Sequence, residues 1–194
     1  SNFYLRRVRR LFPALFVTIL LTFTYGFFVF PGSLLEPLSK SVVASVLSVS
    51  NILFWSEAGY FDADVDLKPL LHTWSLSVEE QFYFVWPAVL VFLSQMRRSW
   101  IAPLFAVIAG TISLWATQRW LVSDPSGAFF LAPFRITEFA VGALCVWLLR
   151  WRGAYGLLDE FLVFAGLILI ALPVATFSPS TPFPGLTALI PSVG

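Results

Sequence analysis

Apolar runs of about twenty residues recur along this chain, at 11–30, 73–93, 100–122, 129–149 and 157–177. At 1.5 Å per residue, roughly 20 residues of helix cross the ~30 Å hydrocarbon core of a bilayer. Runs of that length in that number do not fit inside one soluble core. The expected fold is therefore all-α, a polytopic transmembrane helix bundle. Arginines punctuate the runs: Arg6, Arg7, Arg9 and Arg10 before the first, Arg97 and Arg98 after the second, Arg150 and Arg152 after the fourth. The bias of basic residues toward the cytoplasmic side would produce such clusters by itself.

Composition points the same way. Hydrophobic residues make up 58% and charged residues 12%, where a soluble domain carries about a quarter charged. A net charge of +1 gives no reason to expect a nucleic-acid partner. The single cysteine, Cys145, precludes an internal disulfide, and its apolar surroundings predict that it packs. No cluster of His, Cys or carboxylate residues has metal-ligand spacing, so no metal is expected. Repeats, low-complexity tracts and Gly-rich phosphate loops are absent from the sequence.

One stretch breaks the apolar pattern. Residues 70–87 hold the only histidine, His72, and two adjacent carboxylates, Glu79 and Glu80, directly ahead of Val89, Leu90, Val91, Phe92 and Leu93. Ionisable groups at membrane depth cost about 3 kcal/mol each and mark a functional interior by default. On one helix, His72, Ser75, Glu79, Tyr83 and Trp86 recur at spacings of three and four and share a face, whereas Glu80 points about 100° away from Glu79. The two acids thus form no dyad. His72 and Glu79 stand roughly 10 Å apart if both are helical, too far for a direct hydrogen bond unless His72 lies in the preceding loop.

The remaining segments read in order. Pro13 is expected in the first turn of the first span, where its missing N–H is harmless, and Pro31-Gly32 ends that span. Residues 41–55 are short and interrupted by Ser45, Ser48, Ser50 and Asn51, which fits a re-entrant segment better than a span. Such a re-entry leaves Arg6–Arg10, Arg97–Arg98 and Arg150–Arg152 on one side of the membrane; a full crossing would split them. Glu57, Asp62, Asp64 and Asp66 make an acidic loop that lacks the glycine and terminal glutamate of a calcium-binding loop. Arg135 and Glu138, at i and i+3, are neighbours on a helix and suit either an internal ion pair or a substrate contact.

Four stretches together resemble a known family. Pro69-Leu70-Leu71-His72-Thr73-Trp74-Ser75-Leu76-Ser77-Val78-Glu79-Glu80-Gln81-Phe82-Tyr83 is similar to the signature of the acyltransferase type 3 family, membrane O-acyltransferases of bacterial surface polysaccharides. Arg7 and Arg10 match its Arg-x-x-Arg motif, Arg135-Ile136-Thr137-Glu138-Phe139-Ala140-Val141-Gly142 its Arg-x-x-Glu-Phe-x-x-Gly segment, and Thr181-Pro182-Phe183-Pro184-Gly185 a later loop. The resemblance covers the whole chain in order. It implies that residues 1–194 are one internal fragment of the domain. Two preceding helices, one with a histidine regarded as catalytic, and a C-terminal remainder with a possible fused extracytoplasmic domain would lie outside it.

The resemblance implies transfer of an acyl group, acetyl foremost, from cytoplasmic acyl-CoA to a hydroxyl of a glycan or lipid-linked sugar at the inner (plasma) membrane. Glu79 and His72 are then the catalytic candidates. Arg7 and Arg10 become contacts to the acyl-CoA phosphates, which arginine forks bind bidentately. Trp74, Ser75, Tyr83, Arg135 and Glu138 become substrate contacts. Two other classes fit the same charges: a transporter or flippase moving a lipid-linked sugar or anion without bond making, and a non-catalytic scaffold. Transfer of labelled acyl groups separates the first from both.

Overall fold

The computed structural model describes residues 2–58, 67–96, 98–151, 156–178 and 181–194. Asp62, Asp64, Asp66, Arg97 and Arg152 lie outside the described residues. Among the described residues nine α-helices follow one another: α1 (Asn2–Val29), α2 (Gly32–Val46), α3 (Ser50–Glu57), α4 (Thr73–Ser94), α5 (Ile101–Ser123), α6 (Pro125–Phe130), α7 (Ile136–Trp151), α8 (Leu157–Thr176) and α9 (Leu186–Val193), with a 3₁₀ turn at Ala132–Arg135 before α7. Five segments among the described residues are long and apolar enough to cross a bilayer: Phe3–Val29, Thr73–Ser94, Ile101–Ser123, Ala132–Leu149 and Asp159–Thr176. The chain divides into two compact units, Ser1–Gln81 and Phe82–Gly194, with the boundary inside α4.

The first helix corrects one expectation. It begins at Asn2, so the four arginines are helical and Pro13 lies inside α1, three turns in, not in its first turn. Arginine is a good helix former, so a basic stretch need not be a loop. An internal proline leaves the carbonyl four residues earlier, here that of Arg9, without its helical partner.

In the first unit, Leu15 and Ile19 of α1 pack on Leu38 of α2 and on Leu70, with Phe30, Val42 and Leu76 around them. Gly26 makes the approach of α1 to α2 close: a Cβ there would meet Leu38 Cδ2 at 2.5 Å. Between α2 and α3 the helix breaks at Leu47–Val49, where Ser48 takes φ 56°. Neither half is long enough to span. Beyond α3, Lys68 lies 3.4 Å from Glu57 and ties the end of α3 to the approach to α4. The Lys40 ammonium, 2.8 Å from Glu36, holds that carboxyl below its ordinary range. Both side chains are largely exposed, so this pair contributes little to stability.

In the second unit, α5 and α7 are joined through small and hydroxyl residues. Ala106, Gly110, Ser113 and Thr117 form the buried edge of α5. Thr137 Oγ1 donates to the Gly110 carbonyl (3.0 Å), Ser113 Oγ to that of Pro133 (2.7 Å), and Thr117 Oγ1 reaches that of Phe134 (3.1 Å). A Cβ on Gly110 would stand 3.1 Å from Ala140 Cβ. Lipid tails are as apolar as leucine, so membrane helices associate through such close backbone approach and hydrogen bonds. Gly110→Leu should drive α5 from α7 and lower stability by about 1–3 kcal/mol, read as a lower thermal midpoint in detergent beside Ile112→Leu on the exposed face. Phe82 stacks on Phe139 of α7 (centroids 4.1 Å) and on Trp86 (5.0 Å). Gly166 of α8 takes Gly194 so closely that a Cβ would meet its carbonyl oxygen at 2.5 Å.

Two further differences from the sequence expectation arise here. The run 129–149 is not one helix: Asp124 caps the short α6 by accepting from the Gly127 N–H (2.8 Å), and the chain then turns at Leu131 and enters the 3₁₀ turn before α7. Cys145 does not pack but is exposed. In a lipid-bathed helix an apolar run does not distinguish the packed face from the bare one.

Candidate functional site

His72 sits in the turn preceding α4, exposed, not in the helix. That turn is fixed from below by Leu70, fully buried, whose carbonyl accepts from the Thr73 N–H (3.0 Å). Ser75 Oγ donates to the His72 carbonyl (3.2 Å).

The inward side of α4 in the first unit is a ladder of hydroxyls. Thr73 Oγ1 lies 2.8 Å from Ser45 Oγ of α2 and 3.0 Å from Ser50 Oγ of α3, and Ser50 Oγ lies 2.8 Å from Ser77 Oγ. All four residues are buried. One turn on, Gln81 Nε2 donates to the Ser48 carbonyl (2.9 Å) and to Asn51 Oδ1 (2.8 Å), and the Ser48 hydroxyl donates to the Glu80 carboxylate. Buried polar groups must be hydrogen-bonded, and here each meets another across a helix–helix seam.

The two adjacent acids are thereby distinguished. Glu80 is bonded into the seam, whereas half-buried Glu79 makes no hydrogen bond or ion pair among the described residues. Thr73, Ser77, Glu80 and Gln81 lie within about 100° of one another around α4, while Ser75 and Glu79 fall on the far side. Trp74 is half-buried and Ser75 is exposed. Tyr83, half-buried, belongs to the second unit. The role of Glu80 and Gln81 in the packing was missing from the sequence reading. The serines at 41, 45, 48 and 50 were the available signal for it.

Arg7 and Arg10 stand in the first turns of α1, three residues apart and so on one face; Arg7 is half-buried with its guanidinium 5.7 Å from the Phe3 ring, and Arg10 is exposed.

In the second unit, Arg135 and Glu138 form the expected pair, Nη1 to Oε1 at 3.1 Å. Arg135 lies between two rings, 5.1 Å from the centroid of Phe129 and 5.3 Å from that of Phe183, and its Nε donates to the Phe129 carbonyl (3.2 Å). Its side chain is only 12% exposed. The second carboxylate oxygen of Glu138 is buried without a partner among the described residues. A cleft of about 1110 Å³ opens elsewhere in this unit, lined by Trp86, Leu90, Leu93, Arg98, Leu144 and Trp147 among others. None of the residues singled out as catalytic or binding lines it. Among the described residues no group of three or more His, Cys, Asp or Glu is placed to hold a metal ion.

Comparison with known proteins adds a lineage to this geometry. Residues 1–191 match the family described as "Acyltransferase domain". Peptidoglycan O-acetyltransferase OatA of Listeria monocytogenes is 34% identical over 146 residues, 73% of this chain and 23% of the relative. O-acetyltransferase OatA of Staphylococcus aureus is 30% identical over 147 residues, 74% of this chain and 24% of the relative. The chain thus spans about a quarter of the length of these relatives. No solved structure matches.

Proposed function

Because the chain belongs to the acyltransferase type 3 family over residues 1–191, we propose that it works as a membrane O-acyltransferase. The donor is acyl-CoA in the cytoplasm, acetyl foremost, and the acceptor a hydroxyl of an extracytoplasmic glycan at the inner membrane. The name of the Listeria relative supports peptidoglycan as that glycan. The observation that carries this is the division of labour on α4. One carboxylate, Glu80, is bonded into the packing, and its neighbour Glu79 stands without a partner among the described residues, on the helix side that also carries Ser75. An ionisable group inside a membrane-spanning segment is a functional candidate by default.

Acyl transfer needs a base, a held thioester and donors for the developing oxyanion. Glu79 takes the proton of the acceptor hydroxyl, or orients the imidazole that does. The hydroxyl oxygen then forms a new C–O bond to the thioester carbonyl. The C–S bond breaks, and the coenzyme A thiolate leaves and takes up a proton. His72 and Ser75 hold the acceptor, with Trp74 beside them. Arg7 and Arg10 clamp donor phosphates on the cytoplasmic side. Residues 41–55 dip into the membrane and return to the side they left.

The test uses the intact protein in membranes given labelled acyl-CoA. Label should pass to glycan; movement of glycan without label would instead indicate a transporter. Arg7→Lys and Arg10→Lys should each weaken coenzyme A binding, because lysine keeps the charge but not the planar fork. Equal affinity in wild type and both variants would reduce these arginines to topology signals.

A further inference from the structure

We propose that Glu80 and Gln81 are positioning residues: they clamp the elbow between α2 and α3 and thereby fix the rotation of α4 that presents Glu79. This rests on the acyltransferase reading above. The elbow needs a clamp. Ser48 carries φ 56°, a left-handed conformation that costs an L-residue with a Cβ and is adopted freely only by glycine. Backbone bonds close the end of α2 around it, Ser48 N–H to the Ser45 carbonyl (3.2 Å) and Val49 N–H to the Ala44 carbonyl (2.8 Å), and α4 holds what they leave: the Ser48 hydroxyl donates to Glu80 and its carbonyl accepts from Gln81 Nε2, which also holds Asn51 of α3. Asn51 is 1% exposed and Ser50 fully buried, so the α3 side of the elbow is fixed as well.

The same contacts act on α4. Thr73, Ser77, Glu80 and Gln81 occupy one side of the helix over two turns, each bonded to α2, the elbow or α3. A helix held at four positions on one side cannot rotate without breaking bonds that have no water to replace them. Glu79 follows Ser77 by two residues and so lies about 200° away around the helix. It is therefore aimed by the clamp without belonging to it. Glu80 needs its oxygens as acceptors, not its charge, and an amide accepts the Ser48 hydrogen bond almost as well.

The experiment compares Glu80→Gln, Glu80→Ala, Gln81→Leu and Glu80→Ala/Ser48→Gly in the intact protein at matched expression. Initial acyl-transfer rates and backbone hydrogen exchange over residues 44–52 are both measured. Glu80→Gln should stay within about threefold of wild type, since only the charge assistance of one bond is lost. Glu80→Ala and Gln81→Leu should lose roughly 10- to 100-fold in kcat at unchanged donor KM, the effect of a misplaced catalytic group. Exchange across the elbow should rise at least about tenfold in both. Ser48→Gly should recover part of the Glu80→Ala loss, because glycine adopts the elbow conformation without the clamp. Loss in Glu80→Gln equal to that in Glu80→Ala, with the elbow still protected, would overturn the proposal and give Glu80 a chemical role. Wild-type rates and exchange in Glu80→Ala would overturn it as well. If wild type itself transfers no acyl group, the acyltransferase reading fails, and the exchange measurement alone decides the clamp.

Discussion

Glu79→Gln should lower acyl transfer by about 10²- to 10⁴-fold, the range that a positioned general base contributes, while leaving the amount of folded protein nearly unchanged. Both halves of this expectation come from the same fact. Glu79 makes no hydrogen bond or ion pair among the described residues, so its replacement by an isosteric amide removes no structural contact and relieves the cost of a charge at depth. Loss of the charge removes the proton acceptor. The adjacent Glu80→Gln supplies the internal comparison, since that side chain differs by one position and about 100° of helix. The measurement is the initial rate from labelled acyl-CoA in membranes with matched expression, beside thermal melting in detergent. If Glu80→Gln proved the more damaging change, the assignment of the two faces of α4 would be reversed.

The spans were legible in the sequence because bilayer thickness sets their length, and runs of about 20 apolar residues leave little freedom. What the runs hid was which side of each helix packs. In water, apolar side chains mark the packed side; in lipid they do not, and polarity takes over that role. Ser41, Ser45, Ser50, Asn51, Thr73, Ser77, Ser113, Thr117 and Thr137 are buried, while Phe28, Phe84, Val122 and Val174 are among the most exposed residues. That inversion accounts for the misplacement of Cys145. It also explains why the serines of 41–55 said more than its hydrophobic residues did. Three of them, Ser45, Ser48 and Ser50, are partners of α4.

The site was legible only in part. Periodicity separated Glu79 from Glu80 correctly as directions, since it depends on helix geometry alone. It could not say which of the two faced a neighbour, because that requires knowing where α2 and α3 lie. Ser48, whose backbone conformation makes the elbow, carries no sequence mark comparable to a glycine or proline. Pro13 misled for the opposite reason. It is a strong local signal, but among the described residues α1 already runs from Asn2.

Arg135→Met should cost about 3–5 kcal/mol, the penalty for leaving one member of a buried ion pair alone. Glu138 offers Oε1 to Arg135 at 3.1 Å, and its other oxygen is already buried without a partner among the described residues. Removing the guanidinium therefore strands a whole carboxylate, not half of one. It also empties the slot between Phe129 and Phe183, where a flat cation stacks and a lysine would not fit as well. Glu138→Leu alone should be costly in the mirror sense, leaving the cation. The double change Arg135→Met/Glu138→Leu should recover most of the loss, because replacing both charges by apolar groups removes the desolvation cost together with the attraction. Methionine sulfur between two rings is itself favourable. A double-mutant cycle on thermal stability in detergent measures the coupling, and transfer rates on the same four proteins then divide the two roles the sequence left open. A double variant that both folds and transfers acyl groups shows an internal pair that holds the turn ahead of α7. One that folds but no longer transfers would show that Arg135 or Glu138 meets the substrate, and the ion pair would then be its resting state.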